Sequence, residues 1–81
     1  MNKEDVAALI IRNIKEAIPE LKDKELDLDK PYSELGISSL DLVDLASKIM
    51  REMKVKIQPN ELAKATTINS LADALLKAAA A

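Results

Sequence analysis

The sequence predicts an all-α fold: a small four-helix bundle of three main helices and one short one, with a long loop between helices 1 and 2. Three observations carry this. Apolar residues recur at helical spacing in three separate stretches. Each of those stretches opens on a residue type that caps helix starts, namely Asn2, Ser38 and Thr67. A fourth, short stretch opens on Pro59, and proline is favoured at the first position of a helix.

The first helix starts at Asn2, with Glu4 and Asp5 in its first turn, where the positive end of the helix dipole favours them. Val6, Leu9, Ile10, Ile14, Ala17 and Ile18 then make one apolar face, and Pro19 ends the helix. Residues 19–37, "PELKDKELDLDKPYSELGI", have no sustained periodicity. So long a connection in a compact domain is packed or functional rather than idle, and Leu26, Leu28, Tyr32 and Leu35 are expected to pin it. A short extra helix around Glu20 to Lys24 is the alternative. The second helix begins at the serine pair, and Leu42, Leu45, Ala46, Ile49 and Met53 form its core stripe. After a break comes the short helix from Pro59 through Ala63. Thr67 caps the last helix, which buries Ile68, Leu71, Ala72 and Leu75 and runs into a frayed tail, Ala78 to Ala81.

Composition narrows the chemistry. With 81 residues, 48% of them hydrophobic and 32% charged, the chain is globular and forms one domain, residues 1–81, near the lower limit for a single core. A net charge of −2 and the lack of a basic patch interleaved with aromatics argue against nucleic acid as a partner. No apolar run approaches membrane-spanning length and the start carries no apolar leader, so a soluble cytoplasmic protein without membrane insertion is expected. The sequence holds neither histidine nor cysteine. That removes Ser–His and Cys–His nucleophile pairs, and thiolate or imidazole metal sites. No carboxylate stands in a context that suggests burial or a raised pKa, so independent catalysis is not expected and no metal site is assigned.

One corner remains conspicuous. In "ELGISSLDLVDLASKI" the only glycine, Gly36, precedes two adjacent serines and an amphipathic helix. Ser38 to Asp41 reads Ser-x-x-Asp, close to a capping box in which the serine accepts the amide of Asp41. Gly36 permits a backbone angle costly for other residues just before the helix. Capping accounts for Ser38 and leaves Ser39 unexplained, because at the first helical position its hydroxyl points outward. A phosphate ester there would face unpaired amides and the positive end of the dipole. Nothing in the chain deprotonates this serine, so a separate enzyme would have to install such a group.

The segment resembles the acyl carrier protein family, whose attachment motif is commonly Gly-x-Asp-Ser-Leu followed by an amphipathic helix. Gly36, Ile37, Ser38, Ser39, Leu40 and Asp41 match it, except that Ser38 stands where the family usually has Asp. Ile57, the Pro59 helix and "TTINSLADAL" are similar to the family's third and fourth helices, so the resemblance covers nearly the whole chain. It implies a 4′-phosphopantetheine arm on Ser39, donated by coenzyme A through a phosphopantetheinyl transferase. The arm's thiol would hold acyl groups as thioesters and present them to acyl-loading, elongating or transferring enzymes. The departure at Ser38 preserves the cap without the usual negative charge, and modification is still expected.

The remaining site residues lie on or near the second helix. At about 100° per residue, Leu40 and Val43 fall off the core stripe and Met50 at its edge. Leu40 and Val43, with Asp41, Asp44, Lys48 and Arg51, are candidates for partner docking, the role the family resemblance assigns to this helix. The competing account is structural: Val43 and Met50 widen the buried face, and Asp44–Lys48 is a favourable i, i+4 pair. Carriers in general fatty-acid synthesis usually keep this helix acidic, whereas Lys48, Arg51, Lys54 and Lys56 make its far end basic. Leu42, Ala46, Ile49, Ile57, Leu62 and Leu71 occupy positions where the family lines its acyl pocket; the alternative is that they simply fill the core. The resulting expectation is a freestanding, monomeric acyl carrier in a specialised polyketide or lipid pathway. A peptidyl or D-alanyl carrier and an unmodified helical interaction module are the alternatives.

Overall fold

A computed structural model describes residues 2–80. Its helices are α1 (Lys3–Ala17), α2 (Ser39–Met53), α3 (Pro59–Lys64) and α4 (Ile68–Ala80), the bundle expected from the sequence. Asn2 caps α1, and the cap is reciprocal. The Asp5 amide donates to Asn2 Oδ1 at 2.9 Å, while the Asn2 amide donates to an Asp5 carboxylate oxygen at 3.3 Å. The start of α4 is held by Thr67, whose Oγ1 accepts the Ser70 amide at 3.0 Å. Both fix helix starts by satisfying amides that have no partner within the helix.

α1 packs against both α4 and α2, whereas α3 rests on α4. Val6, Ile10 and Ile14 of α1 meet Leu45 and Ile49 of α2 and Ile68, Leu71 and Leu75 of α4 in a core of aliphatic side chains. Ala17 departs from expectation: it lies exposed at the end of α1, and Ala7 and Asn13 are buried instead. Asn13 is tolerated there because its Nδ2 donates to the Leu9 carbonyl at 2.8 Å. α3 buries none of its residues. Ion pairs tie α1 to α4 through Lys3–Asp73 (3.1 Å) and α1 to α2 through Arg12–Glu52 (2.7 Å).

The long connection contains two short 3₁₀ turns, Pro19–Leu21 and Tyr32–Leu35. The first stands where a short extra helix was the alternative, and the second was not foreseen. Leu21, Leu26 and Tyr32 are buried, with Leu28 and Leu35 half-buried. The segment is also stitched to the start of α4. The Asn69 amide donates to the Leu28 carbonyl at 3.0 Å, and the Tyr32 amide to the Thr66 carbonyl at 3.0 Å. Asn69 Nδ2 also donates to Asp29 Oδ1. α4 continues helical through Ala80, beyond the point where fraying was expected, and Ala81 lies outside the described residues. No helix among them is long and apolar enough to cross a membrane.

Candidate functional site

The serine corner is built by the backbone that leads into it. The Tyr32–Leu35 turn closes on Gly36 at φ 83°, in the left-handed region. No atom lies within 4 Å of a Cβ built there, so the demand for glycine comes from the backbone angle alone. Ile37 is then drawn into the core, its amide donating to the Tyr32 carbonyl at 3.0 Å. Tyr32 anchors the turn. Its hydroxyl donates to the Thr67 carbonyl at 3.0 Å, and burial pushes its pKa well above the ordinary phenol value, so it stays a neutral donor.

Ser38 is the N-cap of α2. Its Oγ accepts the Asp41 amide at 3.1 Å, and its own amide donates to Asp41 Oδ2 at 3.4 Å. The capping box inferred from the sequence is therefore present in both halves. Ser39 follows as the first helical residue and is exposed. The first backbone bond of the helix runs from the Leu42 amide to the Ser38 carbonyl at 3.0 Å. The amides of Ser39 and Leu40 precede it and have no partner among the described residues. The serine hydroxyl thus sits beside two open N–H donors at the positive end of a four-turn helix, an arrangement that favours an anionic ester. These residues fit a phosphodiester-linked group.

Beside this hydroxyl opens a cleft of about 690 Å³ between α2, α3 and the two connecting segments. Ile37, Tyr32, Ile57 and Ala65 are buried and form its floor. Leu42 and Met50 of α2 and Leu62 of α3, all half-buried, form its walls. Its rim is exposed and includes Ser33, Ser38, Ser39, Val43, Pro59 and Thr66. Of the six positions expected to line a cargo pocket, Leu42, Ile57 and Leu62 do face this cleft. Ala46, Ile49 and Leu71 do not: they are buried at the contacts between α2, α1 and α4 and fill the closed core. Sequence reasoning assigned no pocket role to Met50, whose sulfur accepts the Ile57 amide at 3.2 Å and so ties the segment after α2 back to that helix. Tyr32 carried a usable signal, being the chain's only aromatic residue and needing a partner for its hydroxyl once buried.

The outer face of α2 carries the candidate docking residues. Leu40 is 80% exposed and Val43 54%, so Val43 belongs to the surface and does not widen the buried face. Asp41, Asp44, Lys48 and Arg51 come together around a second depression of about 390 Å³, between this helix and Ala17 at the end of α1. The expected Asp44–Lys48 pair does not form; Lys48 and Arg51 make no ion pair among the described residues. Helix geometry allows the i, i+4 contact, but for exposed side chains its gain of a few tenths of a kcal/mol barely offsets the rotamer entropy lost.

Comparison with known proteins converges on one group. The family model described as "Phosphopantetheine attachment site" matches residues 8–75. The chain is 29% identical over 75 residues to the polyketide biosynthesis acyl-carrier-protein AcpK of Bacillus subtilis (strain 168), covering 93% of this chain and 92% of that protein. Its structure is similar to the crystal structure of the curacin biosynthetic pathway HMG synthase in complex with acetyl donor-ACP. The TM-score there is 0.82 at 35% identity, over 98% of this chain and 99% of the other.

Proposed function

The chain belongs to the phosphopantetheine attachment-site family of acyl carrier proteins, and from that membership we propose that Ser39 bears the 4′-phosphopantetheine arm and that the adjoining cleft receives its cargo. The protein is a carrier, not an enzyme, and the family's covalent 4′-phosphopantetheine is its cofactor. The arm supplies the thiol on which acyl groups are held as thioesters, in a chain that has no sulfur nucleophile of its own.

The observation that carries the proposal is the placement of Ser39: exposed, first in α2, beside open amides and at the mouth of an apolar cleft. On this reading the Ser39 oxygen bonds to the phosphorus of coenzyme A's pantetheine half, and the adenosine bisphosphate half leaves. The serine proton passes to a base of the phosphopantetheinyl transferase, because Asp41 is engaged in the cap and no histidine exists here. Ser38 and Gly36 hold the helix start in place, while the Ser39 and Leu40 amides stabilise the new negative charge. Leu40 and Val43, with Asp41, Asp44, Lys48 and Arg51 around them, form the surface on which loading, elongating or transferring enzymes dock. The name of the Bacillus subtilis relative supports polyketide biosynthesis as the class of pathway. We place the carrier in the cytoplasm, acting as a monomer.

The test is intact mass after incubation with a phosphopantetheinyl transferase and coenzyme A. The wild type gains one phosphopantetheine and Ser39→Ala gains none, with an unchanged thermal melt because the hydroxyl removed is exposed and makes no hydrogen bond among the described residues. An adduct on Ser39→Ala, or none on the wild type, overturns the assignment.

A further inference from the structure

We infer that two copies of this chain pair reversibly through the outer face of α2, antiparallel and twofold-symmetric, held by salt bridges between its acidic and basic halves. The pairing does not depend on the assignment of the arm to Ser39. Its consequence rests on the docking role proposed for α2: the pair covers the face that enzymes would meet, so the monomer is the acting form and the pair a resting one.

The order of charges along one stripe carries the inference. Asp41, Asp44, Lys48 and Arg51 stand at i, i+3, i+7 and i+10 of α2, the spacing of a seam along which one helix meets another. All four line the depression of about 390 Å³ beside Ala17, and Asp44, Lys48 and Arg51 are exposed. None of the four makes an ion pair among the described residues; Asp41 uses Oδ2 for the helix cap, and its Oδ1 makes no hydrogen bond among them. The stripe is its own complement. A twofold axis level with Ala46 sets Asp41 against the second copy's Arg51 and Asp44 against the second copy's Lys48, and symmetry repeats both contacts. A parallel alignment opposes like charges throughout. Sliding the antiparallel pair by one heptad opposes carboxylate to carboxylate or cation to cation, so the order fixes direction and register together. Ser47, small and next to the axis, lines the same depression and holds the helices no further apart. The net charge of −2 leaves little overall repulsion between copies. Exposed salt bridges are individually weak, so these contacts support a transient pair, with a dissociation constant on the order of 1 mM, and not a permanent dimer.

The experiment follows the full chain, without an arm so that no thiol can cross-link it, by sedimentation equilibrium and amide chemical shifts over about 0.05–2 mM protein. The wild type is expected to move from monomer toward dimer, the amides of Asp44, Ser47 and Lys48 shifting with concentration. Its dissociation constant is expected to rise about tenfold between low salt and about 0.3 M sodium chloride, because exposed charges are screened. Lys48→Glu with Arg51→Glu makes the stripe wholly acidic and is expected to stay monomeric. Asp44→Lys opposes cation to cation and is expected to lose association as well. An equimolar mixture of these two variants is expected to associate again, because most contacts between them are once more of opposite sign. A wild type monomeric at about 2 mM in low salt overturns the inference. So does association that ignores salt, that persists in the acidic variant, or that the mixture of folded variants fails to restore. The dilution and salt series on the wild type decides the matter should a variant unfold. A monomeric wild type whose cognate enzymes still respond to the charge reversal assigns the stripe to enzyme partners only, and it too overturns self-pairing. Failure of arm transfer to Ser39 is a separate result that leaves this measurement untouched.

Discussion

Replacing Ser38 by Ala removes one half of a reciprocal pair of hydrogen bonds and leaves the other. The Ser38 Oγ acceptor of the Asp41 amide, at 3.1 Å, is lost, while the backbone amide at position 38 can still donate to the Asp41 carboxylate at 3.4 Å. N-cap serines contribute about 0.5–2 kcal/mol, and this box is exposed, so the loss should fall in the lower half, about 0.5–1 kcal/mol. For a small domain the urea m-value is near the bottom of the usual range, about 1 kcal/mol/M, so the midpoint should fall by about 0.5–1 M. Ser38→Asp is the informative partner. It keeps an acceptor in the same place and adds a negative charge favoured by the helix dipole by about 0.3–1 kcal/mol, against repulsion from Asp41. Its midpoint should therefore stay within about 0.5 M of wild type. Ser33→Ala serves as the control, since that exposed hydroxyl makes no hydrogen bond among the described residues. The measurement is equilibrium urea unfolding followed by circular dichroism. An unchanged Ser38→Ala, or a Ser38→Asp as weak as Ser38→Ala, would refute the capping account of this serine.

Gly36→Ala should cost about 1–2 kcal/mol, the penalty for an L-residue held at positive φ, with no steric contribution because the space around the missing Cβ is open; a urea midpoint within error of wild type would contradict it. Lys54 is the one described non-glycine residue at positive φ, 58°, where it ends α2. Lys54→Gly relieves that strain but loosens the unfolded chain, for a net gain of about 0.5–1 kcal/mol and a melting temperature several degrees higher, read by calorimetry; a lower melting temperature would be the contrary result. Lys48→Glu with Arg51→Glu removes two exposed cations that form no ion pair among the described residues, so stability should change by less than about 0.5 kcal/mol. If this face docks partners, turnover by cognate loading or transferring enzymes should alter along with its salt dependence, and identical kinetics at low salt would argue against a docking role.

What could be read from the sequence follows the range of each signal. Helix starts are local: Asn2, Ser38 and Thr67 each act on an amide three residues on, and the coordinates show all three bonds. Periodicity identified the stripe of α2 through Leu45, Ala46 and Ile49 for the same reason. It could not decide whether Leu42 faces the cleft and Ala46 the closed core, because both are apolar and neighbours on one helix; that depends on where α3 and the connecting segments come to rest. The Tyr32–Leu35 turn escaped notice because its stability comes from bonds to Thr66 and Thr67, more than thirty residues away. Ala17 was misplaced because the apolar face of α1 fades at its last turn, where Ile18 and Leu21 take over the burial.

The division between rigid and yielding parts of the bundle follows from which helix supplies the core. Among the four helices, α1, α2 and α4 contribute all of the fully buried large side chains, while α3 contributes none and rests mainly on α4. The cleft lies along that boundary, with one wall fixed by α2 and the other carried by a six-residue helix. The segment before α3 is tied to α2 by an amide-to-sulfur contact, a weaker acceptor than a carbonyl oxygen. If the cleft receives the arm's cargo as proposed, an entering chain should displace α3 and Met50 before it disturbs the α1–α2–α4 core and the position of Ser39. The same reasoning explains why filling the floor would be harmful in a way that trimming the wall is not. Ile57 and Ala65 stand on the core itself, so a larger residue there strains close-packed neighbours. Leu62 projects from α3, which buries none of its own residues.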